Sequence, residues 1–79
     1  MDTINYEDYE IAAKPNQLSD GTWQLNITII EHLGSHTVSR NFSSRNSFHS
    51  REEAIPHCFE FGRQIINGGV EGYSVGNRK

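Results

Sequence analysis

Hydrophobic side chains occupy every second position from residue 23 to residue 29: Trp23, Leu25, Ile27 and Ile29 alternate with Gln24, Asn26 and Thr28. In an extended chain, successive side chains point to opposite faces, so strict alternation describes a strand with one buried and one wet face. Leu33-Gly34-Ser35-His36 reads as the turn that follows. If Gly34 and Ser35 form a two-residue turn, Leu33 pairs with His36, Val38 stands opposite Glu31 and Phe42 stands opposite Ile27. Val38 and Phe42 then fall on the Trp23 face, so turn and pattern agree. Ser43-Ser44-Arg45-Asn46-Ser47 reads as a polar loop.

The period then changes. Ser50-Arg51-Glu52-Glu53 has the form of a capping box, in which a serine caps free helix amides and a glutamate three residues on reaches back. Ala54, Cys58, Phe61 and Ile65 follow at helical spacing, flanked by Ile55, Phe59, Gly62 and Ile66. Together they make a broad apolar stripe, with Glu52, Glu53, Glu60, Arg63 and Gln64 on the other face. Asn67-Gly68-Gly69 is a stop signal. Pro56 interrupts the pattern, because it lacks an amide hydrogen and crowds an earlier carbonyl. A kink, or a first turn separate from the main helix, is expected there.

Upstream, Tyr9, Ile11 and Ala13 alternate and suggest a first strand, which Pro15 should end or hold at a sheet edge. Ser19-Asp20-Gly21-Thr22 is a hairpin turn signal. After Gly69, Val70, Tyr73 and Val75 are sparse apolar residues among glycines, suited to a short added strand or a packed tail. The expected fold is α+β: an antiparallel three-stranded meander, with a short fourth strand as an option at the C-terminus, packed by one amphipathic helix. Its core should comprise Trp23, Leu25, Ile27, Ile29, Val38, Phe42, Ala54, Cys58, Phe61 and Ile65.

Composition narrows this picture. A chain of 79 residues is sized for a single domain. Its ordered part is expected at about residues 6–75, between a frayed acidic head and a frayed tail. No apolar run approaches the ~20 residues that span a bilayer, so no membrane partner is expected. One cysteine cannot form an internal disulfide. Residues 1–10 carry Asp2, Glu7, Asp8 and Glu10 and no base, unlike the basic, apolar start of a secretory leader. A cytoplasmic location is the resulting expectation. The formal net charge of -3 gives no general attraction for phosphate.

The residues with chemical potential do not assemble by spacing. His32 and His36 are separated as zinc ligands often are, but across a turn rather than on one helical face. His57 and Cys58 are adjacent on a helix and about 100° apart around it, so they share neither an ion nor a nucleophile–base geometry easily. Glu53 and His57 are four apart and suit an exposed ion pair. Solvated histidines and a small buried cysteine are the plainer reading. No catalytic residue, cofactor or metal site is expected.

Two binding readings remain. A single helix covers one face of a sheet, and Ile30 and Phe59 lie off the main inward pattern, so either can seed contact with a protein partner or a second copy. The leading expectation is therefore a small non-enzymatic protein that binds another macromolecule or itself. The alternative is weak nucleic-acid binding through Arg40, Arg45, Arg51 and Arg63, which concentrate in the third strand, the loop and the helix. Arg45 and Arg51 bracket a helix N-terminus, where backbone amides favour anions. No aromatic pair on the strands suits base stacking.

Tyr9-x-Ile11, Leu18-x-Asp20-Gly21-x-Trp23, Arg40-x-Phe42, Phe48-x-Ser50-x-Glu52-Glu53-Ala54 and Phe61-Gly62-Arg63-Gln64-Ile65-Ile66-x-Gly68 together resemble a group of short uncharacterised bacterial proteins. These are found chiefly in beta-proteobacteria. The resemblance spans residues 9–75 and is strongest in the D-G-x-W turn and the F-x-S-x-E-E-A helix start. It implies an antiparallel sheet followed by one long C-terminal helix. It supplies no activity, cofactor or site residue, and Pro56 departs from its helical pattern.

Overall fold

A computed structural model describes residues 2–69. The elements in chain order are β1 (Asp2–Tyr6), β2 (Tyr9–Ala13), β3 (Asn16–Gln17), β4 (Trp23–Leu33), β5 (His36–Phe48) and α1 (Arg51–Ile66). The class is α+β, as expected, but among the described residues the three-stranded meander becomes one antiparallel sheet of five strands. β4 is its centre. β5 pairs along one side of it, while β2 and β3 share the other side and β1 lies beyond β2.

The head expected to fray is instead strand β1. Its register, Tyr6 opposite Tyr9 and Ile4 opposite Ile11, places Ile4 and Tyr6 on the core side. Glu7 opens the two-residue turn at φ 57. β2 and β3 are a single line of chain interrupted by Pro15. The register against β4 is the same on both sides of the proline, and the Lys14 amide donates to the Asn26 carbonyl at 2.8 Å. β1 does not extend past Ala13, so Pro15 sits where the sheet has no outer neighbour among the described residues, which is where a missing donor is tolerated. The following hairpin is closed by Leu18 N–H to the Thr22 carbonyl at 2.7 Å and Gly21 N–H to the Leu18 carbonyl at 3.0 Å. Gly21 adopts φ 89, and Asp20 accepts from the Thr22 amide and hydroxyl. This is a three-residue loop with glycine at its left-handed position.

The β4–β5 hairpin has the expected register: Leu33 faces His36, Val38 faces Glu31 and Phe42 faces Ile27. Gly34 opens the turn at φ 67. The polar segment 43–47 is not a loop, however. It continues β5 through a bulge in which residues 44–46 oppose Leu25 alone, after which Ser47 pairs with Gln24 and Phe48 with Trp23. Gln24 Nε2 donates to the displaced Ser44 carbonyl at 2.9 Å. Ser/Asn-rich sequence resembles a loop because its side chains compete for backbone hydrogen bonds. Here a long partner strand supplies those bonds.

α1 begins as the capping box predicts, with one change. The Ser50 hydroxyl accepts from the Glu53 amide at 3.1 Å, but the Glu53 carboxylate reaches one residue further back, to the His49 amide at 3.2 Å. The helix runs unbroken through Pro56, which faces solvent, so the expected separate first turn is absent. It ends at Gly68, φ 75, with Gly69 N–H to the Gln64 carbonyl (2.8 Å) and Gly68 N–H to the Ile65 carbonyl (3.0 Å). That bonding pattern satisfies the last carbonyls in the Schellman manner.

The helix lies across β2 and β4 in the same sense as β1. Arg51 is 3.6 Å from Asp2 at one end, and Asn67 exchanges hydrogen bonds with the Tyr6 hydroxyl at the other. Tyr9, Ile11, Ala13, Leu25, Ile27, Ile29, Cys58, Phe61 and Ile65 form the core, joined by buried Ala54. Trp23 and Val38, expected inside, are only half-buried and stand outside this cluster, while Phe42 packs against its rim. Alternation assigned these side chains to the correct face, but the helix lies mainly over β2 and β4 and seals only part of that face. Tyr9, Ile11 and Ala13 take the places left, because β2 lies directly beneath the helix. The candidate strand at residues 70–75 and the terminal residues lie outside the described part.

Gly62 decides how close the helix comes. A β-carbon there would stand 2.7 Å from Ile11 Cγ2 and 2.9 Å from Ile11 Cδ1, and Ile11 is 0% exposed. Gly62→Ala should therefore destabilise the fold by about 1–3 kcal/mol through overpacking, although alanine favours an isolated helix by ~1 kcal/mol. Ser50→Ala should cost about 1 kcal/mol by losing the cap. Urea denaturation checks both.

Candidate functional site: the β4–β5 ribbon and the arginines

The outer face of the sheet, away from α1, presents Thr3, Asn5, Glu10, Lys14, Asn16, Gln24, Asn26, Thr28, Ile30, His32, Thr37, Ser39, Asn41 and Ser43 by register. Apart from Ala12 and Ile30 it is polar, and among the described residues it carries no Phe, Tyr or Trp. Thr28 is nonetheless buried, 7% exposed, and its hydroxyl donates to Asn41 Oδ1 at 2.6 Å across the β4–β5 pair. Ile30 is half-buried here, between Glu10 and Ser39. Phe59 is half-buried against the core cluster, so much of its ring is already used in holding the helix.

The arginines do not form one surface. Arg51 extends from the first turn of α1 to Asp2, and Arg63 binds Glu60 at 2.9 Å on the helix. The Glu60 carboxyl is held below its ordinary range, first by that Arg63 hydrogen bond and then by Gln64 Nε2. Arg40 stands on the helix side of β5, opposite Ile29, and Arg45 projects from the bulge. Neither has an ion pair among the described residues. An acid partner lowers the attraction of Arg51 and Arg63 for phosphate, and the remaining two occupy different parts of β5.

The residues weighed for chemistry are likewise dispersed. His32 Nε2 lies 3.6 Å from Glu10 Oε1 across β4 and β2. His57 stacks on Phe48 with ring centroids 4.3 Å apart, and Glu53 turns to the His49 amide, so the anticipated Glu53–His57 pair is not made. Cys58 is fully buried, its thiol directed at the Asn26 carbonyl at 3.7 Å, and burial pushes its pKa up. A raised thiol pKa means little thiolate and low reactivity. The Asp20 carboxyl is held low by Thr22, which locks a turn. No three metal-ligating side chains converge and no pocket opens among the described residues. No helix among them is long and apolar enough to cross a membrane.

The feature that sequence reasoning passed over is the free end of the β4–β5 ribbon. Leu33 is the one large hydrophobic residue exposed there, at 42% among the described residues, and half-buried Val38 lies near it on the same face. The molecule measures 40 × 26 × 17 Å, elongated as a hairpin outrunning its helix requires. The signal was present: the turn register alone puts Leu33 and Val38 on the helix side, but only the path of the helix shows that it does not reach them.

Fluorescence anisotropy with short single-stranded DNA and RNA should show no binding that weakens between low and high salt. Phosphate contacts must be salt-sensitive, so a strong salt dependence would reinstate the arginines as contacts.

No known protein family, curated protein or solved structure matches the chain.

Proposed function

We propose that this protein is a non-enzymatic protein-binding module that acts through the β4–β5 ribbon. The observation that carries the reading is the extension of that ribbon beyond α1, with Leu33 exposed and Val38 half-buried outside the core cluster. An apolar tip on a rigid hairpin has a small ordering cost on docking, because the strands already hold its shape. Ile30, on the opposite face of the same ribbon, adds apolar surface without a separate site. Phe59 contributes less, since it is engaged with the core.

A photo-crosslinking residue in place of Leu33 tests this in cells. It should yield a defined protein adduct, another protein or a second copy, in excess of the same probe at exposed Gln64 on the helix. Equal labelling from the two positions would sink the reading.

A further inference from the structure

The outer edge of β5 is shaped for one particular occupant. Among the described residues β5 pairs only with β4, and its long upper stretch ahead of the bulge carries neither proline nor lysine, two of the usual guards of an edge strand. The two-residue turn makes Leu33 and His36 a hydrogen-bonded pair. Alternation along an antiparallel ladder then directs the backbone N–H and C=O groups of Val38 and Arg40 toward β4. Those of Thr37, Ser39 and Asn41 point away from it, to the edge. An edge of this kind is satisfied by another strand.

We infer that this strand is β5 of a second copy, paired antiparallel about a two-fold axis at Ser39. This deepens the protein-binding reading above and rests on it. Charge complementarity favours one register, the one that brings Glu31 to Arg40 of the second copy. Helix-side residues must face helix-side residues if the two sheets are to join as one. Centring on Arg40 would set two guanidinium groups opposite each other, and like charges directly opposed are unfavourable. Centring further along β5 runs the pairing into the bulge at residues 44–46, where the strand leaves its regular ladder. Centring on Ser39 pairs Thr37 with Asn41 of the second copy and sets Val38 opposite its Arg40. Across that rung Glu31, which flanks Val38 on β4, comes within side-chain reach of Arg40 of the second copy. Glu31 has no ion pair among the described residues, nor has Arg40, and the two-fold makes this contact twice. The apolar body of each Arg40 also covers a half-buried Val38.

Sedimentation equilibrium on the full chain tests the inference. The wild type should dimerise reversibly. Ser39→Pro removes an edge-facing donor without touching the β4 ladder, so it should raise the dissociation constant at least about tenfold with an unchanged thermal melt. Glu31→Arg and Arg40→Glu should each weaken the dimer, and the double swap should restore it. A strictly monomeric wild type, a dimer indifferent to Ser39→Pro in a folded variant, or a double swap no better than either single change would overturn the inference. If Ser39→Pro lowers the melt, the swap alone decides. A monomer that still crosslinks another protein from position 33 defeats the self-pairing and leaves the binding-module reading standing.

Discussion

The contact on which this fold rests is that of Gly62 in α1 against Ile11 in the middle of β2, where a β-carbon would stand 2.7 Å from the isoleucine. The lack of a side chain at one residue lets the helix backbone settle onto the branched side chain of the other, which is 0% exposed. Most other contacts in the core depend on that spacing. Cys58 and Ile65, about a turn to either side of Gly62, then reach down to the sheet, and Phe61 closes over them. A small residue below the helix serves the same end: Ala13 is 2% exposed, faces the helix beside Ile11 and leaves room for the chain above. Dense packing of this kind stabilises a short chain that has no disulfide to constrain it.

The helix can sit there because both of its ends are anchored. Ser50 and Glu53 satisfy amides at its start, Gly68 and Gly69 satisfy carbonyls at its end, and contacts to Asp2 and Tyr6 orient it along β1. Pro56 removes one internal hydrogen bond but lies on the wet side, where water can serve the exposed carbonyl. That position, along β1 and over β2 and β4, has a consequence at the β5 side of the sheet. It leaves the upper part of the β4–β5 ribbon without a helix above it, and the proposed activity and the proposed self-pairing both belong to that region.

Legibility differed between elements for physical reasons. The alternation from Trp23 to Ile29, the turn at Gly34, and the register bringing Phe42 to Ile27 were readable because local geometry alone fixes them. The apolar stripe and caps of α1 were readable for the same reason. β1 was not, because Asp2, Glu7 and Asp8 give its neighbourhood the look of a solvated head, and pairing with β2 is a long-range outcome of where that strand lies. The continuation of β5 through Ser43 and Ser47 was hidden by residues that serve loops equally well. Of the candidate contact residues, the positions of Arg51 and Arg63 beside acids could be suspected from charge, but Asp2 as the partner of Arg51 could not.

The amino-acid sequence by itself determined the periodicities, the turns, the helix caps and the face to which each strand residue belongs, because these depend on bonds and torsions within a few residues. Only the tertiary structure decided which parts of each face are sealed. Trp23 and Val38 carry the same inward pattern as Leu25 and Ile27, yet they remain half-buried, because the one helix among the described residues, set in place by Gly62 on Ile11, lies over β2 and β4 and leaves both outside the core cluster it covers.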